Sequence, residues 1–133
     1  MQRYVIDASV AVEILLRTSI GLRLAEVVSN SLLFAPELLD VEVLSVLRRA
    51  VRDGRLSEPR AVEALHDLSA WNIERTPHIR LLRDAWSVRH NASAYDAFYV
   101  AVARVSNAAL LTADGPLARA SGLGVVIQNV RER

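Results

Sequence analysis

The chain reads as an α/β fold, a parallel sheet covered on both faces by helices. Three observations predict it. Short apolar runs with strand character alternate with longer amphipathic runs along the whole sequence. Hydrophobic residues make up 52% of the chain, the proportion expected of strands buried on both faces rather than of a half-solvated sandwich. And 133 residues suffice for one domain (1–133) with its own core, with no repeat, linker or low-complexity segment to divide them.

In order, Arg3–Ile6 is an apolar run stopped by Asp7-Ala8-Ser9, a strand ending at a polar turn. Val10–Leu16 is helical, with Asp7 or Ser9 able to cap it, and Leu22–Ser29 forms a second amphipathic helix. Ser31–Ala35 is a buried strand, after which Pro36 opens a helix running to about Arg52 and closed by Asp53-Gly54. Ser57-Glu58-Pro59 starts the next helix, carrying Val62, Leu65, His66 and Leu68, and Trp71–Arg75 is the third strand. A helix from Pro77 to about His90 carries Leu81, Leu82, Ala85 and Trp86. The Ser93 helix follows, then the strand Ala109–Leu111, a small helix near Pro116–Ala120 and a last strand, Val125–Gln128.

Composition removes several kinds of chemistry. The net charge is +1, so no global basic field points to nucleic acid. All 16 basic residues are Arg, which excludes any mechanism that needs a lysine. Without Cys there is no disulfide, thiol nucleophile or thiolate metal site. Asp7 and Glu13 interrupt the first apolar run, unlike a signal peptide, and no run reaches the ~18 apolar residues of a membrane span. A cytoplasmic protein is expected. No Ser–His–Asp set or phosphate-cradling Gly-rich loop appears, and His66, His78 and His90 are too scattered for a metal set. Trp71 and Trp86 read as core or dimer-contact residues, and the Leu22–Val28 helix as either packed or open to a partner.

The remaining chemistry lies in the carboxylates. In open parallel sheets, sites form at the carboxyl ends of strands near the switch in strand order. Asp7 directly follows the first strand, Asp114 closely follows the fourth, and Asp96 heads the apolar helix leading into the fourth. Each has a structural reading as well: Asp7 and Asp114 as helix caps, Asp96 three residues after the capping Ser93. On the helix from Pro36, Asp40 and Glu42 fall on opposite borders of the apolar face, and a helical wheel does not choose between them. Carboxylates brought together this way repel unless a cation lies between them. An all-oxygen donor set selects Mg²⁺ or Mn²⁺, and such ions activate water and stabilise the leaving oxygen of a phosphodiester.

The segments Tyr4-Val5-Ile6-Asp7-Ala8-Ser9, Ala35 to Leu44, Tyr95 to Ala101 and Leu111-Thr112-Ala113-Asp114 together resemble, in order and spacing, the PIN-domain ribonucleases, specifically VapC-type toxins of bacterial toxin–antitoxin pairs. The resemblance spans essentially the whole chain. It implies a three-layer α/β/α sandwich with a five-stranded, mainly parallel sheet. It also implies that Asp7, Glu42, Asp96 and Asp114 are the catalytic and metal-binding acids, which favours Glu42 over Asp40. Ser9 and Thr112 would orient them. The implied activity is Mg²⁺- or Mn²⁺-dependent endoribonuclease cleavage by activated water, and the implied partners are RNA, an antitoxin protein and a second copy of the chain. Gly115-Pro116-Leu117 stand where some members of the family carry a further acid, so one or two metal ions remain open.

Other readings stand beside this one: a PIN nuclease of RNA processing without an antitoxin, and a non-catalytic PIN binding module. Receiver domains and haloacid-dehalogenase-like phosphatases also place an Asp after a first strand. They need a Lys near the phosphate, absent here, and the phosphatases need a second Asp where Ser9 stands.

Overall fold

The computed structural model describes residues 1–120 and 122–131. Strand β1 (Arg3–Ile6) gives way to helix α1 (Ala8–Leu15) at Asp7, whose carboxylate accepts the Val10 amide and so starts the helix. Thr18 caps α2 (Ser19–Val28) in the same manner. The two helices meet so closely that a Cβ on Gly21 would stand 1.8 Å from the Glu13 carbonyl oxygen. Strand β2 (Leu32–Pro36) leads into α3 (Leu38–Arg52), after which Gly54, at φ +74°, turns the chain. Ser57 caps α4 (Glu58–Ala70). Strand β3 (Glu74–Thr76), a 3-10 turn (His78–Arg80) and α5 (Leu82–Ser87) precede α6 (Ala94–Val105). Strand β4 (Ala109–Thr112), α7 (Gly115–Arg119) and β5 (Ile127–Asn129) complete the fold.

The five strands lie in the order β3-β2-β1-β4-β5 and every pairing is parallel, so the sheet is wholly rather than mainly parallel. The chain steps outward from β1 to β2 to β3, then returns past β1 to β4. Right-handed crossovers therefore place α1 to α4 on one face and α5 and α6 on the other. In keeping with this, α3 packs on α1 and α4, while α6 packs on α5 and on β1, β2 and β4. The central strands are buried, with Val5, Ile6 and Leu110 at 0% exposure, and they share a core with Leu39, Val43, Leu47 and Val100. Among the described residues no helix is long and apolar enough to cross a membrane.

Several elements depart from the sequence reading. Pro36 closes β2 instead of opening α3, because its neighbour Glu37 still pairs with the Thr76 carbonyl and the helix starts at Leu38. The third strand is Glu74–Thr76 rather than Trp71–Arg75; Trp71 caps the end of α4. The expected helix from Pro77 to His90 breaks into the 3-10 turn and a six-residue α5. On that short helix the inward positions go to Leu81, Ala85 and Val88, which leaves Trp86 67% exposed and outside the core. Helix α2 starts a turn earlier than expected because Thr18 caps it, and the last strand is Ile127–Asn129.

Candidate active site

The reversal of strand order lies between β1 and β4, and both strands end in acids at that point. Asp7 is the centre of the arrangement. It is only 7% exposed, and three donors hold its carboxylate: Ser9 Oγ at 2.6 Å and the Val10 amide at 3.0 Å on Oδ1, and Thr112 Oγ1 on Oδ2. Each hydroxyl also accepts from the loop after β4, Ser9 from the Ala113 amide and Thr112 from the Asp114 amide, both at 2.9 Å. Two hydroxyls thus stitch the ends of β1 and β4 together and fix Asp7 between them. Thr112 is fully buried.

Asp114 caps α7, accepting the Leu117 amide at 3.4 Å. Asp96 sits in the first turn of α6, its amide held by Ser93 Oγ at 3.1 Å, and is half-buried. Glu42, half-buried on α3, accepts a 2.6 Å hydrogen bond on Oε1 from the Tyr99 hydroxyl of α6. Cap and cluster roles coexist because a capping aspartate uses only part of its acceptor capacity on the helix.

The acids sense one another. Burial raises the Asp7 pKa above the ordinary carboxylate range against the pull of its three hydrogen bonds, and repulsion from Asp114 adds to the rise. Burial likewise raises Glu42, opposed by Tyr99 and reinforced by the charges of Asp7 and Asp96. Asp96 is raised by burial and by Asp114 and Asp7, with the Ser93 contact opposing. Among the described residues none of the four acids takes part in an ion pair. Nor do three acids or imidazoles converge there into a finished ligand cage. What the site offers is four oxygen-bearing side chains whose charges act on one another, without a counter-charge among the described residues. That donor set fits a hard divalent cation.

Asp40 and Glu42, which the helical wheel left tied, meet different surroundings. Asp40 is engaged on both oxygens by Arg75 of β3, with Nε and Nη2 each at 2.8 Å. Among the described residues Glu42 pairs with no cation, and it senses the charges of Asp7 and Asp96.

Two residues escaped the sequence reading. Tyr99 looked like one apolar position in an apolar helix, yet its hydroxyl binds a carboxylate 57 residues earlier. His78 accepts the Leu38 amide on Nε2 at 2.9 Å, which caps α3, and its ring lies 4.5 Å from that of Phe98 on α6. Neither helix start nor aromatic spacing signals such long-range partners. The other histidines, His66 and His90, are exposed and apart from the acids.

Comparison with known proteins finds relatives along nearly the whole chain. The profile of the PIN domain matches residues 4–123. Ribonuclease VapC1 of Mycobacterium tuberculosis is 43% identical over 137 residues, covering 98% of this chain and 100% of its own length. VapC ribonuclease Mb0985 of Mycobacterium bovis is 37% identical over 110 residues, covering 83% and 84%. Among solved structures, PAE2754 from Pyrobaculum aerophilum superimposes with a TM-score of 0.64 at 26% identity, over 95% of this chain and 83% of its own. VapBC2 from Rickettsia felis, bound to a promoter DNA fragment, shares the fold with a TM-score of 0.61 at 13% identity, over 96% and 98%.

Proposed function

The chain belongs to the PIN-domain family, and on that premise we propose that it is a metal-dependent endoribonuclease, the toxin of a toxin–antitoxin pair. The observation that carries this is the set of four acids at the switch point of the sheet, Asp7 and three around it, none of them ion-paired among the described residues. Relatives named ribonuclease over nearly the whole chain support the substrate class.

In this reading Asp7, Asp96 and Asp114 would hold Mg²⁺ or Mn²⁺, with Glu42 beside them. A bound cation would supply positive charge at the scissile phosphate and would lower the pKa of a water so that the nucleophile forms near neutral pH. The protein's own groups do the rest. Ser9 and Thr112 lock the Asp7 carboxylate so that it does not swing away when the charge on the site changes. Glu42, held at Oε1 by Tyr99, would turn its remaining oxygen towards the cation, and the proton of the attacking water would pass to solvent. With the 3′-oxygen as the leaving group, taking up a proton from solvent as its bond to phosphorus breaks, in-line attack would leave a 5′-phosphate and a 3′-hydroxyl.

The same reading places the protein in the cytoplasm with two protein partners, an antitoxin and a second copy of the chain. Exposed apolar side chains support such contacts: Leu22 and Val27 on α2, and Leu82 and Trp86 beside a groove bounded by Ala94 and Phe98. The deciding experiment pairs an RNA-cleavage assay in Mg²⁺ or Mn²⁺ with induction in a bacterial host. Asp7→Asn should lower cleavage by roughly 1,000-fold or more, since a lost metal site removes several kcal/mol of transition-state stabilisation. The wild type should arrest growth, and a small protein encoded beside it should restore growth. Undiminished cleavage by Asp7→Asn overturns the site. Cleavage without growth arrest turns the reading towards an RNA-processing nuclease.

A further inference from the structure

Tyr99 is 2% exposed, in the middle of a helix whose other inward residues are Ala and Val. A Phe there would fill the same space, so the hydroxyl adds no apolar packing and must find a partner inside the protein. Its partner is Glu42 Oε1 on α3, at 2.6 Å. The Ala8 backbone, next to Asp7, faces the same phenol oxygen, and the hydroxyl also senses the charge of Asp7. Asp96 stands three residues before Tyr99 on α6, on the neighbouring part of the same helical face. One buried oxygen therefore lies where the β1–α1 junction, α3 and α6 meet, and each of these carries an acid of the candidate site.

We propose that Tyr99 is a positioning residue: its hydroxyl clamps Glu42 through Oε1 and leaves Oε2 as the one oxygen that Glu42 presents to a divalent cation. The inference rests on the metal-site reading above and adds the residue that orients its fourth acid. Without the hydroxyl, Glu42 regains its side-chain rotamers on a half-open helix face. Nothing else among its hydrogen bonds holds the carboxylate towards Asp7.

The test is Mn²⁺ binding to the full chain, followed by calorimetry, beside RNA cleavage. Tyr99→Phe should weaken Mn²⁺ binding by roughly 10- to 100-fold, the usual cost of removing a group that orients a ligand, and lower kcat with KM for RNA unchanged. In a Glu42→Ala background the same substitution should change nothing further, because the clamp has lost its object. Wild-type Mn²⁺ affinity in a folded Tyr99→Phe overturns the clamp, as does an equal loss in the Glu42→Ala background. Should Tyr99→Phe fold poorly, a chain with Tyr4→Phe and Tyr95→Phe keeps Tyr99 as its single tyrosine for ¹³C NMR. Mg²⁺ should then move the Cζ resonance of Tyr99, and an unmoved resonance overturns the proposal. Asp7→Asn separates the two levels of inference. Full Mn²⁺ affinity in that variant overturns the metal site and the clamp with it, whereas the expected loss there beside an unaffected Tyr99→Phe overturns the clamp alone.

Discussion

Thr112 donates its hydroxyl proton to Asp7, 105 residues away in sequence, while accepting the Asp114 amide at 2.9 Å. One fully buried hydroxyl thus serves two acids of the candidate site and joins the ends of adjacent strands.

Thr112→Val keeps the shape and removes both contacts, stranding an acceptor on Asp7 and a donor on Asp114. The expected cost is about 1–3 kcal/mol in urea unfolding, with metal-dependent cleavage falling roughly 10- to 100-fold. Thr112→Ser should restore most of both. Equal behaviour of the Val and Ser variants would show that the hydroxyl is idle.

The pH dependence of stability has a definite sign. Asp7, Glu42 and Asp96 all have folded-state pKa values raised above the ordinary range near 4. Just above that pH the folded protein binds more protons than the unfolded chain, so these groups make the metal-free protein less stable as pH rises towards their raised values. In EDTA, the stability of the wild type relative to Asp7→Asn should decline as pH rises above about 4, and replacing EDTA by Mg²⁺ should diminish the decline. Thermal unfolding across this range measures it. A rise with pH would contradict the direction of the shifts.

Asp40 and Glu42 lie two residues apart on α3 but should respond differently. Asp40→Ala breaks a partly exposed ion pair with Arg75 and should cost up to about 1 kcal/mol of stability, with cleavage near wild type. Glu42→Ala should lose most cleavage with the fold intact. Matching losses in RNA-cleavage rate would mean that the Arg75–Asp40 pair also belongs to the machinery.

Gly21→Ala tests the α1–α2 contact. A Cβ 1.8 Å from a backbone oxygen forces the helices apart, and overpacking of this kind costs about 1–3 kcal/mol or more. Denaturant midpoints should fall accordingly, and an unchanged midpoint would show that α2 moves freely on α1.

The sequence was legible where the signal is local. Apolar strands ending in Asp7 and Thr112-Ala113-Asp114 are readable because strand length and the following polar turn lie within a few residues of each other. The cap at Ser93 and the acid at Asp96 are readable for the same reason. It was illegible where one end of an interaction comes from a distant element. Nothing near His78 says that the start of α3 will reach its imidazole, 40 residues away. Nothing in an Ala- and Val-rich helix marks Tyr99 as anything but filling. The break between the 3-10 turn and α5 is hidden too, since the apolar residues on either side of it suit one longer helix.

The strand order also bears on how the protein is made. Strand β1 is the first to be synthesised and ends up in the middle of the sheet, with β4 as one neighbour. At about 5–20 residues per second, the ribosome takes several seconds to produce the segment that pairs with that open side. Until then Asp7 lacks Thr112, and the neighbouring acids Asp96 and Asp114 do not yet exist in place. A nascent chain carries no assembled set of acids, so any catalytic competence arrives late, with the last third of the polypeptide.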